Sequence, residues 1–306
     1  MDIGVIGVGS MGKNHARVYS ELKSVDSLFV YDIDKKSAQN VAEQYGAEYI
    51  SLENLLETVD AVSVCVPTQH HFEVVKQVFT AEKSVLIEKP ICANYKEACE
   101  LMQNIPHDII VGVGHIERFN PVVSEIKKII KEPLYIEFKR HNPASARVTG
   151  GSVIEDLMIH DIDIMINQFF SSLPEEIRSV GNNDVCSVMM KYGNLPVIFS
   201  ASRKACKKIR TLYIEENDFT IEGDFMLQEV LVYRKPGQYQ INSERYVQEN
   251  ITEKVVVNKL EPLKVELDTF VKCVKNDMPF PITPKQVIAN LYMCEWIQRS
   301  LYDWRM

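Results

Sequence analysis

Two stretches of the chain hold residues suited to moving protons. Lys89 stands between Glu88 and Pro90, and the proline restricts the residue before it to extended backbone, so the amine leaves the chain from a fixed point. A free lysine is a poor base at its ordinary pKa of ~10.4; burial or a neighbouring cation has to lower it. The plainer reading of a Glu-Lys pair is a surface ion pair. The second stretch reads Gly150-Gly-Ser152-Val-Ile-Glu-Asp156-Leu-Met-Ile-His160-Asp-Ile-Asp163. On an α-helix Asp156 and His160 lie one turn apart, and Asp163 returns to the same face. A carboxylate one turn from an imidazole fixes its tautomer and direction, which suits proton transfer near neutral pH. The same residues have the make-up of a divalent-metal site, and a capped helix with a solvated ion pair explains them without chemistry.

What these groups would act with is written at the start of the chain. Gly7, Gly9 and Gly12 follow a short apolar run with G-x-G-x-x-G spacing. Gly7 permits a tight turn, Gly9 lets the backbone approach a pyrophosphate, and Gly12 lets a helix lie close to the strand. Ser10 and Met11 open that helix, whose free N–H groups would meet the pyrophosphate. Asp32, twenty residues past Gly12, stands where an acid accepts the ribose hydroxyls. By itself it reads as a solvated strand-end aspartate. Its charge, with Asp34 beside it, would repel a 2′-phosphate by about 4 kcal/mol at ~4 Å and a surface-like dielectric. The expected cofactor is therefore NAD rather than NADP. With a nicotinamide site upstream, proton transfer becomes the leading reading of Lys89 and His160, because hydride loss from an alcohol needs a group to take the hydroxyl proton.

The elements that must position these residues follow from hydrophobic pattern. Strand-like runs at 27–31, 47–49, 61–66, 84–87 and 109–113 alternate with helical ones up to about residue 113, which predicts a parallel, doubly wound sheet. In such sheets ligands gather at the carboxyl ends of strands. Asp32, Pro67, Thr68, His71, Glu88 and Lys89 all fall there. Beyond His115 the pattern changes. Asn120 caps a helix with Pro121 in its first turn. A strand near 134–139 and one long helix over 153–170 precede six strand-like runs between 177 and 233, the mark of an α+β domain on a mostly antiparallel sheet. The polar stretch 238–250 reads as a loop, and two amphipathic helices, 263–275 and 283–301, close the chain. The expected division is 1–117 and 118–306, with the last helix packing back on the first domain.

The 306 residues are 46% hydrophobic and 25% charged, with a net charge of −8. That acidity argues against nucleic acid or an anionic membrane as the main partner. No apolar run has the length of a membrane span, and no signal peptide is expected. The seven cysteines form no C-x-x-C pair, so reduced thiols in the cytoplasm are expected, with no structural zinc and no resident metal.

Taken in order, Gly7-x-Gly9-x-x-Gly12, Val66-Pro67-Thr68-x-x-His71, Glu88-Lys89-Pro90 and Gly150-Gly-Ser-x-x-x-Asp156-x-x-x-His160-x-x-Asp163 resemble the Gfo/Idh/MocA family of sugar and cyclitol dehydrogenases along the whole chain. The resemblance implies a Rossmann domain followed by an open sheet used for assembly as a homodimer or homotetramer. It also implies that Lys89, Asp156 and His160 are the catalytic set. Ser152 departs from the pattern, since many members carry a third glycine there.

Substrate is less tightly specified. Gly114-His115-Ile-Glu-Arg118-Phe-Asn120-Pro121 with His160-Asp-Ile-Asp163 looks most like the branch containing UDP-N-acetylglucosamine 3-dehydrogenases. On that likeness Arg118, Asn120 and Arg147 join Asp156 and His160 as expected substrate contacts. Lys139-Arg140-His141 with Arg147, and the run Arg203 to Arg210, offer positive charge for a diphosphate; solvated loops or subunit contacts explain them equally well. A free sugar or inositol is the alternative substrate, and a cofactor-binding sensor or scaffold the alternative to an enzyme.

Overall fold

The computed structural model describes residues 1–143, 151–170, 172–235, 239–242, 245–248 and 251–301. The chain divides into two compact units. The first comprises Met1–Phe119 with Glu261–Tyr292, and the second holds the rest.

The first unit is a six-stranded parallel sheet. Its strands are β1 (Asp2–Ile6), β2 (Ser27–Tyr31), β3 (Glu48–Tyr49), β4 (Ala61–Val64), β5 (Ser84–Glu88) and β6 (Val111–Gly114), in the order β3-β2-β1-β4-β5-β6. Order reverses between β1 and β4, and a crevice opens at such a switch point. The strands are short and nearly all apolar because both faces are covered; β4 and β5 are buried throughout. The covering helices are α1 (Ser10–Glu21), α2 (Lys35–Tyr45), α3 (Leu52–Thr58), α4 (His71–Thr80) and α5 (Tyr95–Gln103). Local chemistry sets their starts. Asp34 caps α2 by accepting from Lys36 and Ser37, Ser51 caps α3, and Asn94 caps α5.

The second unit opens with α6 (Pro121–Ile129), whose cap Asn120 accepts from the Val122 N–H as the Asn-Pro signal predicts. Its eight-stranded sheet joins β7 (Tyr135–His141), β8 (Glu176–Gly181), β9 (Val185–Tyr192), β10 (Leu195–Ser202), β11 (Ile209–Glu215), β12 (Phe219–Asp224) and β13 (Glu229–Arg234) to an edge strand at Ile251–Val255. Every pairing is antiparallel except β7 with β10. Alternation is strict: Ile136, Phe138 and Arg140 of β7 are buried while Tyr135, Glu137, Lys139 and His141 are half-exposed. Phe138 and Phe199 stack in this core, ring centroids 5.1 Å apart.

Two expectations are corrected. The stretch 238–250 is not a plain loop, because β14 (Tyr239–Asn242) and β15 (Arg245–Gln248) pair as an antiparallel hairpin, with β16 (Ile251–Val255) the edge strand named above. Alternation of Tyr-Gln-Ile-Asn with Arg-Tyr-Val-Gln carries the strand signal that overall polarity hid. The helix expected over 153–170 is not a uniform α-helix. It is π-helical at Ile154–Met158, α-helical in α7 (Ile159–Ile164), and π-helical again at Met165–Phe169. The Ile159 and Phe170 N–H groups donate five residues back, to Ile154 and Met165. Hydrophobic spacing over so short a run does not separate a 3.6-residue turn from a wider one. Two helices close the fold, α8 (Pro262–Lys275) and α9 (Pro284–Ser300).

Candidate functional site

In the first unit the carboxyl ends of β1, β2, β4 and β5 surround a cavity of about 730 Å³, within the ordinary range for a small-molecule or cofactor site. Gly7, Gly9, Ser10, Met11, Asp32, Pro67, Thr68, His71, Glu88 and Lys89 all line it. Gly12, the remaining expected cofactor contact, lies behind the lining. A Cβ there would stand 1.8 Å from the Gly7 carbonyl oxygen, so its hydrogen is what brings α1 against the turn. Gly7 has φ +87°, reachable by glycine at little cost, and a Cβ would also strike the Val66 backbone. At Gly9 a Cβ would meet nothing within 4 Å. The protein leaves that side open, which is the cradle a pyrophosphate requires at the start of α1.

Asp32, the expected ribose contact, lines the cavity, and both of its carboxylate oxygens are engaged. One carboxylate oxygen accepts from the Val8 N–H at 2.7 Å, tying the end of β2 to the glycine turn, and the other accepts from Asp34 N–H at 2.9 Å. An ionised carboxylate has about four acceptor sites, so capacity remains for two sugar hydroxyls. Asp34 is spent as the α2 cap, where hydrogen bonds from Ser37 hold its carboxyl below the ordinary range. Between them Ile33 is 89% exposed and lines the cavity. Sequence reasoning passed over it, although an isoleucine between two strand-end acids is a poor surface residue and a good platform for a flat base.

Lys89 stands half-buried at the end of β5, and the Lys89-Pro90 peptide is cis. Glu88 is buried, so its carboxylate is not the solvated surface group of the plainer reading, although the Lys89 charge does act on it. One Glu88 oxygen meets His15 Nε2 at 2.9 Å and the other accepts from the Lys89 backbone N–H at 3.1 Å. Burial works to raise the Glu88 pKa, but the hydrogen bond and charge of His15, together with the charge and backbone N–H of Lys89, outweigh it and hold the carboxyl below its ordinary value. His15 is a second residue that sequence reasoning missed. It lies in α1 three residues past Gly12, and no motif marks its partner far along the chain. His71 is buried, each ring nitrogen 2.9 Å from a carbonyl oxygen, Pro90 on one side and Val66 on the other. Burial holds its pKa below the usual histidine value. Its ring thus sits between the Val66-Pro67 turn and the Lys89-Pro90 turn, and in the neutral form it donates to one of the two carbonyls at a time.

Two expected substrate contacts are engaged within their own units. The Arg118 guanidinium donates to Gln286 at 3.0 Å. Asn120 is 3% exposed; it caps α6 and its amide donates to the Phe225 carbonyl at 3.0 Å. Arg147 and Gly150 lie outside the described residues.

In the second unit Asp156 falls in the first π-helical turn and His160 in α7, both half-buried. Asp163 does not share a solvent face with them. It is 1% exposed and accepts from the Asn167 amide at 3.0 Å. Asp161 is also buried, held by Arg140 at 2.6–3.0 Å. Ser152, where many family members carry a third glycine, accepts through its hydroxyl oxygen from the Ile154 N–H at 3.2 Å, at the start of the π-turn. Just before it Gly151 takes φ +73°, and Arg203 holds the Gly151 carbonyl at 2.6 Å. Among the described residues no group of three His, Cys, Asp or Glu has metal-site geometry, and no helix is long and apolar enough to cross a membrane.

Residues 1–118 match the GFO_IDH_MocA family, described as an oxidoreductase family with an NAD-binding Rossmann fold. Over 294 residues, covering 91% of this chain and 90% of the relative, the sequence is 29% identical to UDP-N-acetylglucosamine 3-dehydrogenase of Acidithiobacillus ferrooxidans. A solved structure of that enzyme superposes with a TM-score of 0.86 at 26% identity, covering 98% of this chain and 97% of the other. Myo-inositol 2-dehydrogenase of Thermotoga maritima is 29% identical over 66% of this chain and 69% of its own length.

Proposed function

We propose that the chain, whose first 118 residues match the Gfo/Idh/MocA family of NAD-binding oxidoreductases, is a member of that family and oxidises a hydroxyl on a nucleotide-linked sugar, the 3-hydroxyl of UDP-N-acetylglucosamine or a close analogue. It is a sugar dehydrogenase that takes NAD and acts on a small molecule. The observation that supports the finer reading is likeness along 91% of the chain to an enzyme named for that reaction.

Bound NAD supplies the hydride acceptor. In this reading Gly7, Gly9, Ser10 and Met11 carry its pyrophosphate, Asp32 its ribose, and Pro67, Thr68, His71 and Glu88 the walls of its cavity. Lys89 and His160 perform the proton work. As the carbinol carbon gives up hydride, its hydroxyl proton must go to a base, and the imidazole of His160 accepts it at a ring nitrogen. Asp156 orients that ring, and Lys89, as an ammonium, donates a hydrogen bond to the substrate oxygen as it becomes a carbonyl. The ketone and NADH are the products. Arg118 and Arg147 are proposed substrate contacts. The protein works in the cytoplasm as a homodimer or homotetramer, and the face of the eight-stranded sheet that carries Val180, Val185 and Met189, 62%, 38% and 51% exposed, is the proposed contact.

One observation favours a neutral substrate as the second reading. Two of the arginines offered for a diphosphate are used inside the fold, Arg140 on Asp161 and Arg203 on the carbonyls of Gly151 and Asn183. A panel followed at the nicotinamide absorbance decides between them. UDP-N-acetylglucosamine should turn over with NAD, and Lys89→Ala should cut kcat by roughly 100-fold or more while leaving the NAD Kd within a few-fold. Turnover of inositol or a free sugar with none of UDP-sugars would replace the first reading by the second.

A further inference from the structure

Arg140 is the largest fully buried side chain of the second unit and is 1% exposed. It points from the core face of β7, with Ala201 of β10 and Arg210 of β11 beside it in the sheet. Its Nε lies 3.0 Å from both carboxylate oxygens of Asp161 and its Nη2 lies 2.6 Å from one of them. The Phe225 ring covers the guanidinium, 5.6 Å from Cζ to the ring centroid. Asp161, 3% exposed, immediately follows His160 in α7.

A buried ion pair is weak support for stability. Desolvating both charges offsets most of their attraction, and replacing such a pair by apolar residues of similar volume is often neutral or stabilising. Much of this core is apolar, with Ile136 and Phe138 on the core face of β7 and Ile159 and Ile162 in α7 all buried, and Arg210 is the charged residue beside Arg140 in the sheet. The pair does supply direction. A guanidinium fork against a carboxylate fixes orientation as well as distance, whereas methyl groups tolerate a rotated neighbour. Direction is what this helix lacks. α7 is six residues long between two π-helical stretches, so no single residue-per-turn value sets where its side chains face. A fork locked at position 161 sets the azimuth of position 160 directly.

We propose that Arg140, acting through Asp161, is a positioning residue that fixes the direction of His160 and is needed for turnover although it touches no reactant. This rests on the reading of His160 as the proton acceptor. It also accounts for Arg140, which the basic run 139–141 had offered as a substrate contact.

The test compares three proteins with wild type: His160→Asn, Arg140→Lys, and the double variant Arg140→Met with Asp161→Leu. Each is assayed for melting temperature, NAD Kd, kcat and KM on whichever compound of the panel turns over, and for the ¹⁵N resonances of the His160 ring. The double variant should melt no lower than wild type and bind NAD within about twofold, yet lose kcat by roughly 10- to 100-fold, the scale of a misplaced catalytic group, with the His160 ring signals shifted or broadened. Arg140→Lys keeps the charge without the fork and should show a smaller loss of the same kind, and it serves if the double variant does not fold. Wild-type kcat and unchanged ring signals in a folded variant lacking the fork would overturn the inference. Retained turnover in His160→Asn would instead overturn the reading beneath it.

Discussion

At the scale of single residues, Asp32 joins two tasks in one carboxylate. It ties the glycine turn to β2 through Val8 and, in the proposed function, sets the charge that the cofactor's ribose meets. Asp32→Asn removes the charge and keeps one acceptor oxygen for the Val8 N–H, giving up the second acceptor that meets the Asp34 N–H. Wild type should bind NAD more tightly than NADP, and Asp32→Asn should narrow that ratio by roughly tenfold, about a third of the ~4 kcal/mol Coulomb term. Titrations of both nucleotides against both proteins measure it, and an unchanged ratio would discard the charge argument. Asp32 was legible in the sequence because its role depends on distance along a βαβ unit. His15 was not, because its role depends on meeting Glu88, 73 residues away.

At the scale of elements, the turn from β1 to α1 carries a contrast between two glycines. A methyl at Gly12 would overlap the Gly7 carbonyl at 1.8 Å, whereas one at Gly9 meets no protein atom within 4 Å. Gly12→Ala should therefore lower the melting temperature and lose NAD binding together, because a backbone oxygen has nowhere to go. Gly9→Ala should leave the cofactor-free melting temperature within about 2 °C and weaken NAD by roughly tenfold or more, since the methyl occupies the pyrophosphate's approach. Melting curves with and without NAD check both. Equal loss of stability in the two variants would refute the distinction. The helix of His160 shows the opposite case. Sequence spacing put Asp156, His160 and Asp163 on one face, whereas in the structure Asp163 is buried beside Asn167 and the other two are half-buried, a difference in burial that spacing does not carry.

At the scale of the molecule, one buried acid bears on pH dependence. Glu266 of α8 is fully buried in the first unit and neither carboxylate oxygen has a hydrogen-bond partner. Burial first, and then the charge of Glu88, hold its pKa well above the ordinary 4.5. Its surroundings include Cys65 and Tyr19, whose own pKa values burial raises first and the Glu266 charge raises further. A raised folded pKa means that the folded state binds the proton more tightly than the unfolded one. The associated stability is complete below about 4.5 and is lost as pH climbs toward the folded value, by up to about 1.4 kcal/mol per pH unit. Glu266→Gln imitates the neutral acid without its titration. It should match wild type near pH 4.5 and melt several degrees higher at pH 8, at roughly 2–4 °C per kcal/mol for units of this size. A constant difference between the two proteins across that range would exclude a titrating Glu266.

The sequence by itself determined what is local or strictly periodic. The parallel sheet, the glycine turn, the strand-end residues around the cofactor cavity and the cap at Asn120 follow from spacing, because turn geometry, strand alternation and capping act over a few residues. Tertiary structure decided what each charged side chain is for. Whether Arg140 meets a ligand or Asp161, whether Glu88 pairs on the surface or with His15, and whether Asp163 faces solvent or core all depend on neighbours distant along the chain. Burial then sets the outcome, since a charge taken out of water must find a partner or change its protonation, and no pattern along one segment specifies that partner.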